Sequence, residues 1–117
     1  MRIAIVGSRH FPDLVRVESY VAELSGDTTL ITGSASGVDA AVTRAARARN
    51  LPVQRLPASF EESSDPVKAA ERNQRLVAEA DLLVAFWDGS SKGTRQTVDR
   101  ALDAGKEVHV MVARPSA

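Results

Sequence analysis

Cysteine is absent from the 117 residues of this chain, and histidine occurs only twice. A chain without cysteine forms no disulfide, binds no metal through thiolates and has no cysteine nucleophile. His10 and His109 show no partner pattern, and we assign neither a functional role. We expect His109, which lies within an apolar strand, to be a structural residue with satisfied hydrogen bonds. The sequence therefore predicts neither a metal site nor a cofactor.

Neither sign of charge is in excess, because 15 basic side chains balance 15 acidic ones. Proteins held on nucleic acid by bulk electrostatics usually carry a strong positive excess, so the composition argues against nucleic acid as the partner, although it leaves room for a local basic patch. No apolar run approaches membrane-spanning length, and the residues from Met1 to Val6 predict a strand rather than a signal peptide. We expect a cytoplasmic protein that does not contact a membrane.

Aromatic side chains are also scarce, at 4% of the sequence, so the core has to be built from Ala, Val, Leu and Ile. The hydrophobic content of 44% and the charged content of 26% are ordinary for a globular protein. The length suits one domain, and we predict a single domain over residues 1–117.

Five short apolar runs alternate with four segments of helical periodicity. The predicted strands are Ile3–Val6, Leu30–Thr32, Val53–Leu56, Leu82–Phe86 and Val108–Val112. The predicted helices are Leu14–Leu24, Val38–Arg49, Pro66–Glu79 and Thr94–Ala104, with Asp65 as the N-cap of the third and Gly105 as the C-cap of the fourth. Apolar runs that are continuous rather than alternating are typical of parallel strands buried on both faces.

This alternation predicts an α/β fold, a three-layer Rossmann-like doubly wound parallel sheet of five strands in the order 3-2-1-4-5. The one long connection, Pro57–Ser64, is either a flap over a site or a solvated loop. Ligands of open α/β sheets bind at the carboxyl ends of the strands, where the strand order reverses. In this order the reversal lies between the first and fourth strands. We therefore expect the ligand to contact the loops that follow the first, second and fourth strands.

The loop after the first strand contains Gly7, Ser8 and Arg9. Glycine allows a sharp turn and the close approach of a ligand, Ser8 offers a hydroxyl, and Arg9 offers a planar fork suited to phosphate. The alternative is a tight turn that carries a surface arginine.

The loop after the second strand runs from Gly33 through Ser34, Ser36 and Gly37 to Asp39 and leads into a helix. Small residues at a helix start expose backbone N–H groups, where the helix dipole favours an anion. The loop lacks the third glycine of the dinucleotide fingerprint and the lysine of a Walker A loop. It also fits an N-capping loop, with Ser36 as the cap and Asp39 at the third helical position, and a cap can line a site as well.

The loop after the fourth strand, from Trp87 to Thr94, is the second small-residue loop that enters a helix. Two adjacent helix starts could clamp one phosphate, and Thr94 would add a hydroxyl. Lys92 adds a positive charge or is simply solvated. Trp87 either stacks on a base or packs beside the strand end.

Four motifs in this order, namely Gly7-Ser8-Arg9, Gly33–Asp39, Arg72-Asn73 and Gly93-Thr94, resemble the SLOG superfamily over nearly the whole chain, and its small YspA-type members most closely. The resemblance implies a Rossmann-like fold, a nucleotide or nucleotide-derived ligand and commonly a homodimer. The predicted ligand contacts are Gly7, Ser8, Arg9, Gly33, Ser34, Ser36, Gly37, Asp39, Arg72, Asn73, Asp88, Gly93 and Thr94.

Relatives in that superfamily include the Lonely Guy phosphoribohydrolases and the Rossmann-like domain of DNA-processing protein A. In the phosphoribohydrolases the motif before the last helix is PGGxGTxxE, with a catalytic glutamate. Thr97 stands at the glutamate position here, and Asp99 lies about 200° further around the helix. Asp39 and Asp88 are the remaining catalytic candidates. We therefore expect a nucleotide sensor or binding module; the alternatives are a nucleoside 5'-monophosphate phosphoribohydrolase and a single-stranded DNA binder.

Overall fold

The computed structural model describes residues 1–33, 37–56 and 66–113, and of residues 66–70 it describes only the backbone. Five strands alternate with four helices in these ranges. The strands are β1 (Arg2–Gly7), β2 (Thr29–Thr32), β3 (Val53–Arg55), β4 (Leu82–Trp87) and β5 (Glu107–Val112). The helices are α1 (Leu14–Ala22), α2 (Val38–Ala48), α3 (Pro66–Glu79) and α4 (Lys92–Asp103). The predicted loop Pro57–Ser64 and the predicted cap Asp65 lie outside the described residues.

All strand pairs are parallel, in the order β3-β2-β1-β4-β5, which confirms the predicted fold class and topology. From β1 the chain builds outward to β2 and β3, then returns to the other side of β1 for β4 and β5. The register pairs Gly7 at the end of β1 with Phe86 near the end of β4. The order therefore reverses between β1 and β4, and the carboxyl ends of these strands lie side by side.

The core forms two apolar clusters, one on each face of the sheet. Within β1, Ile5 belongs to the cluster beneath α1 and α2, whereas Val6 belongs to the cluster beneath α3 and α4. Phe86 anchors the first cluster, with its ring edge-to-face at 5.6 Å from Phe11 and at 5.8 Å from Tyr20. Burial on both faces explains why the central strands read as continuous apolar runs.

The prediction that all five runs are buried on both faces is wrong for β5. Val110 and Val112 are exposed, and so is His109, whose Nε2 atom lies 3.4 Å from Oε1 of Glu107. The physical reason is position: β5 is an edge strand with a neighbour on one side only. Apolar content alone does not distinguish an edge strand from a central one.

The predicted end of α4 is confirmed, whereas its predicted start is wrong. Gly105 has φ +74°, its N–H donates to the carbonyl of Leu102, and the N–H of Lys106 donates to that of Ala101. These bonds are the Schellman closure of α4, so the predicted C-cap glycine is confirmed. The start of α4 was placed too late, because the helix begins at Lys92 rather than Thr94. None of the described helices is long and apolar enough to cross a membrane.

Candidate functional site

A cleft of about 330 Å³ opens at the carboxyl ends of the central strands, where the strand order reverses. This is the position that the topology predicts for a ligand. The volume lies at the lower end of the range of small-molecule sites, about 300–1,000 Å³. The lining residues are Val6, Gly7, Arg9, Gly33, Asp39, Arg72, Asn73, Leu76, Ser91, Gly93, Thr94, Gln96 and Thr97.

The start of α4 forms one wall of the cleft. Ser91 precedes the helix in an extended conformation and makes no side-chain cap hydrogen bond. The first helical hydrogen bond runs from the N–H of Arg95 to the carbonyl of Ser91, at 3.3 Å. The N–H groups of Lys92, Gly93 and Thr94 therefore precede the hydrogen-bonded ladder, and no described residue accepts a bond from them. The positive end of this helix is open to the cleft.

Among the described residues, none caps the start of α2 through its side chain. The residue before the helix is Gly37, not the predicted Ser36, so Asp39 occupies the second helical position rather than the third. Gly37 has φ +80°, and a Cβ on it would overlap the carbonyl oxygen of Arg9. The loop after β1 packs directly on this turn, which only glycine permits.

The helix that starts away from the cleft has an ordinary cap. Oδ1 of Asp13 accepts a hydrogen bond from the N–H of Arg16 at 3.1 Å, in the first turn of α1. Side-chain caps satisfy N–H groups that the helix itself cannot. Their absence at α2 and α4 therefore sets apart the two described helix starts that border the cleft.

The loop between β4 and α4 is held by its own residues. The carboxylate of Asp88 accepts the N–H of Ser90 at 2.9 Å and that of Ser91 at 2.8 Å, and these bonds lower the pKa of Asp88. The indole Nε1 of Trp87 donates to the carbonyl of Ser91 at 2.9 Å. Neither Asp88 nor Trp87 is among the residues that line the cleft. The contacts favour the packing interpretation of Trp87 and give Asp88 a role in shaping the loop.

Ser8 connects the loops that follow β1 and β4. Its backbone N–H donates to the carbonyl of Phe86 at 3.0 Å, and its hydroxyl accepts the N–H of Asp88 at 3.1 Å. Its Oγ also lies 3.5 Å from Oγ1 of Thr94. Ser8 is only 1% exposed and does not line the cleft, whereas Thr94 does. Ser8 is therefore a buried residue that holds the loops after β1 and β4 together.

Three predicted residues from distant parts of the chain meet at the other wall. The position of a Cβ on Gly33 would fall within 2.5 Å of both Nη1 of Arg72 and Oδ2 of Asp39. These two atoms are therefore no more than about 5 Å apart, close enough for the guanidinium group and the carboxylate to attract each other. Oδ1 of Asp39 accepts the hydroxyl of Thr32 at 3.1 Å, and Nε of Arg72 donates to Oδ1 of Asn73 at 3.1 Å. Both Asp39 and Asn73 are buried.

Arg9 supplies an exposed positive charge at the cleft. Its side chain is exposed, lines the cleft and forms no hydrogen bond or ion pair with the described residues. Two guanidinium groups, Arg9 and Arg72, and one carboxylate, Asp39, are the charged groups in the lining that the structure describes. The cleft is thus positive on balance, which suits a ligand with negative charge.

Gln96, Thr97 and Leu76 line the cleft, and sequence reasoning did not assign them to it. Gln96 and Thr97 lie three and four residues after Gly93, so helical spacing could have shown that they share its face. The hydroxyl of Thr97 donates to the carbonyl of Gly93 at 3.1 Å. Lys92 and Asp99 do not line the cleft. The predicted contacts Ser34 and Ser36 lie outside the described residues.

Among the described residues no group of three or more His, Cys, Asp or Glu side chains could hold a metal ion. Comparison of the chain with models of known protein families and with curated proteins found no match.

Proposed function

We propose that this chain binds a nucleotide or a nucleotide-derived ligand in the cleft and acts as a sensor or binding module. The observation that carries the proposal is the start of α4, where three backbone N–H groups have no described acceptor and two of them, those of Gly93 and Thr94, belong to residues that line a cleft also lined by Arg9. Open N–H groups at a helix start form an anion site, and a guanidinium group complements phosphate.

The phosphate binds at the first turn of α4 in this proposal. The N–H groups of Gly93 and Thr94 and the hydroxyl of Thr94 donate to its oxygens, and Arg9 approaches from the loop after β1. Hydrogen bonds to charged groups contribute about 1.5–3 kcal/mol each. Gly93 leaves this approach open, because it carries no side chain and a Cβ there would meet nothing within 4 Å.

The sugar and base occupy the rest of the cleft. Amide side chains at Asn73 and Gln96 offer both donors and acceptors, and the side chains of Val6 and Leu76 provide apolar contact. A small number of polar groups on an apolar lining is the usual composition of a small-molecule site. Because the cleft has a volume of only about 330 Å³, a mononucleotide is the simplest probe.

The test is a thermal-shift screen against AMP, ADP-ribose, NAD, cyclic dinucleotides and short single-stranded DNA, followed by calorimetry on each compound that stabilises the protein. We expect Arg9→Ala to weaken binding at least about tenfold, because a charge-assisted bond is lost. Its unfolding temperature without ligand should stay unchanged, since the Arg9 side chain has no described partner. Arg47→Ala removes the same charge from an exposed position outside the cleft lining and serves as the control.

Failure of every nucleotide to stabilise the protein would refute the proposal, as would equal affinity of the Arg9 and Arg47 variants. If single-stranded DNA is the only hit, and its affinity falls steeply with salt, the chain is a nucleic-acid binder instead.

A phosphoribohydrolase is the second candidate, favoured by one observation. Asp39 is the one carboxylate in the described lining of the cleft. Cleavage of the bond between base and ribose develops positive charge on the sugar, which a carboxylate stabilises. Against this, the carboxylate already accepts the hydroxyl of Thr32 and lies close to Arg72. Recovery of free base and ribose phosphate from a bound nucleotide, with loss of turnover in Asp39→Asn, would establish the enzyme; recovery of intact nucleotide supports the binding module.

A further inference from the structure

A second concavity, of about 320 Å³, lies between α2 and the end of β3, and the charged residues in its described lining are all arginines. The lining consists of Ala40, Thr43, Arg44, Arg47 and Arg55, and we call this concavity the α2–β3 groove. It shares no described lining residue with the cleft at the start of α4. Its volume falls within the range of small-molecule sites, about 300–1,000 Å³, so it is large enough for a small ligand of its own.

One face of α2 supplies most of the groove. Ala40, Thr43, Arg44 and Arg47 are spaced three or four residues apart, so their side chains lie along the same face of the helix. Thr43 is buried, and its hydroxyl donates to the carbonyl of Asp39 at 3.0 Å. The small side chain of Ala40 and the engaged hydroxyl of Thr43 leave the arginines as the groups that can bind a ligand.

Arg55 completes the groove from the sheet. It is the last residue of β3, in register with Thr32 of β2, and it is exposed. Arg47 is exposed as well, and neither of these two arginines forms a hydrogen bond or an ion pair with the described residues. Nη2 of Arg44, in contrast, lies 2.9 Å from Oε1 of Glu18 on α1. Three guanidinium groups therefore surround the groove, and one of them has a described carboxylate partner.

This cluster of like charges is electrostatically unfavourable as long as the groove is empty. Arg44 and Arg47 lie three residues apart on α2, a spacing that brings their charges close to each other. No acidic residue belongs to the described lining of the groove. The whole chain has no net charge, so the positive charge here is a local concentration rather than part of a general excess. An anion in the groove would attract all three guanidinium groups and relieve their repulsion.

We propose that the α2–β3 groove is a second ligand site, which binds a small anion with two or three linked phosphates. A guanidinium group binds phosphate through paired N–H···O bonds. Arg44 and Arg47 approach from the helix and Arg55 from the strand, so that an elongated anion is bound from both sides. Linked phosphates offer these three groups more oxygen atoms than a single phosphate does.

A strand of nucleic acid is the competing occupant of a basic groove. Proteins that bind single strands combine a positively charged track with aromatic side chains on which the bases stack. The described lining contains no aromatic residue, and the chain as a whole is neutral. From Ala40 to Arg47 the groove extends about 10 Å along α2. These features suit a compact anion better than a strand.

Nuclear magnetic resonance of the isotope-labelled chain tests the proposal, because it shows where an added anion binds. Titration with inorganic pyrophosphate should shift the amide signals of Thr43, Arg47 and Arg55 together. Arg55→Ala should raise the dissociation constant obtained from these signals at least about fivefold, because charge-assisted hydrogen bonds are lost. Arg75→Ala removes the same charge from an exposed position on α3 and is the control. Absence of shifts at the groove, or equal effects of the two variants, overturns the proposal.

A gain of affinity provides a second test. Glu18→Gln removes the carboxylate that pairs with Arg44, so pyrophosphate should bind about two- to threefold more tightly. An unchanged or weaker affinity in this variant contradicts the assignment of Arg44 to the ligand. Short single-stranded DNA and polyglutamate are titrated in parallel. If either polymer shifts the signals of the groove and pyrophosphate does not, the groove binds that polymer and the proposal is wrong.

Two variants distinguish this site from the cleft. Arg9→Ala should weaken the binding of AMP at the cleft and leave the affinity of the groove for pyrophosphate unchanged. Arg47→Ala should weaken pyrophosphate at the groove and leave the affinity of the cleft for AMP, which has a single phosphate, unchanged. Loss of both ligands in one variant contradicts two separate sites. Failure of AMP to bind would refute the function proposed for the cleft but not the groove, which consists of other residues.

Discussion

A single methyl group added at Gly93 should raise the stability of the free protein and lower its affinity for the ligand. It is the second residue of α4, its φ is not in the left-handed region, and a Cβ there would meet nothing within 4 Å. The described fold therefore gives no steric reason for glycine at this place. Replacing glycine by alanine at a compatible helical site stabilises a protein by about 0.4–1 kcal/mol, chiefly by restricting the unfolded chain.

Gly93→Ala should thus raise the unfolding temperature of the free protein by about 2 °C. The added methyl lies on the wall of the cleft, at the turn whose N–H groups we assign to the phosphate. Loss of one such bond costs about 1.5–3 kcal/mol, so the dissociation constant for AMP should rise at least tenfold. Calorimetry measures the affinity, and thermal unfolding without ligand measures the stability.

Gly26→Ala is the matched control for this experiment. Gly26 also has open space at its Cβ position and no left-handed φ, but it lies outside the cleft. It should change stability without changing affinity. If Gly93→Ala binds AMP as tightly as the natural protein, the ligand does not approach this turn and our placement of the phosphate is wrong.

Two further predictions concern the walls of the cleft. Gly33→Ala should lower the free energy of unfolding by about 1–3 kcal/mol and should also weaken ligand binding, because its Cβ would displace Arg72 and Asp39. If denaturant unfolding gives Gly33→Ala the same stability as Gly26→Ala, this prediction is contradicted. Asp88→Ala should lower the unfolding temperature at pH 7, because two N–H groups of the loop lose their acceptor. The bonds from Ser90 and Ser91 lower the pKa of Asp88 in the folded state, so its contribution is complete above the unfolded-state pKa and is lost as the pH falls through the folded-state pKa. A difference from the natural protein that persists in acid, where the carboxyl is protonated in both states, would refute the assignment.

Local sequence patterns predicted most of the fold. Continuous apolar runs located the five strands, and their alternation with helical segments led to the observed strand order. Glycine after the last helix marked its end correctly, since only the left-handed conformation of Gly105 allows that closure. The start of α4 was placed two residues too late, because glycine is a poor helix former and Gly93 was therefore interpreted as part of the preceding loop.

The sequence predicts which loops form the candidate site but not how their side chains contact one another. Topology brings Gly7, Gly33 and Gly93 to one edge of the sheet, and all three line the cleft. No sequence pattern shows that Arg72 lies close to Asp39, since that proximity depends on how α3 packs against β1. Burial of Ser8 likewise depends on tertiary contacts, and the bond of Trp87 to the carbonyl of Ser91 depends on the conformation of the loop, so both residues could be interpreted from sequence as ligand-facing groups.

The hydrogen bond between Ser8 and Asp88 joins residues that are 80 positions apart in the chain. During synthesis, β1 is made well before its neighbour β4, because α1, β2, α2, β3 and α3 lie between them in the chain. Until then β1 has an open side, and the cleft lacks the wall formed by α4. Contacts of such high sequence separation slow folding, because a long loop has to close before they form. The cleft can therefore bind a ligand only after β4 and α4 have been made. A fragment that stops before β4 should expose the apolar strand β1 and should not bind the ligand.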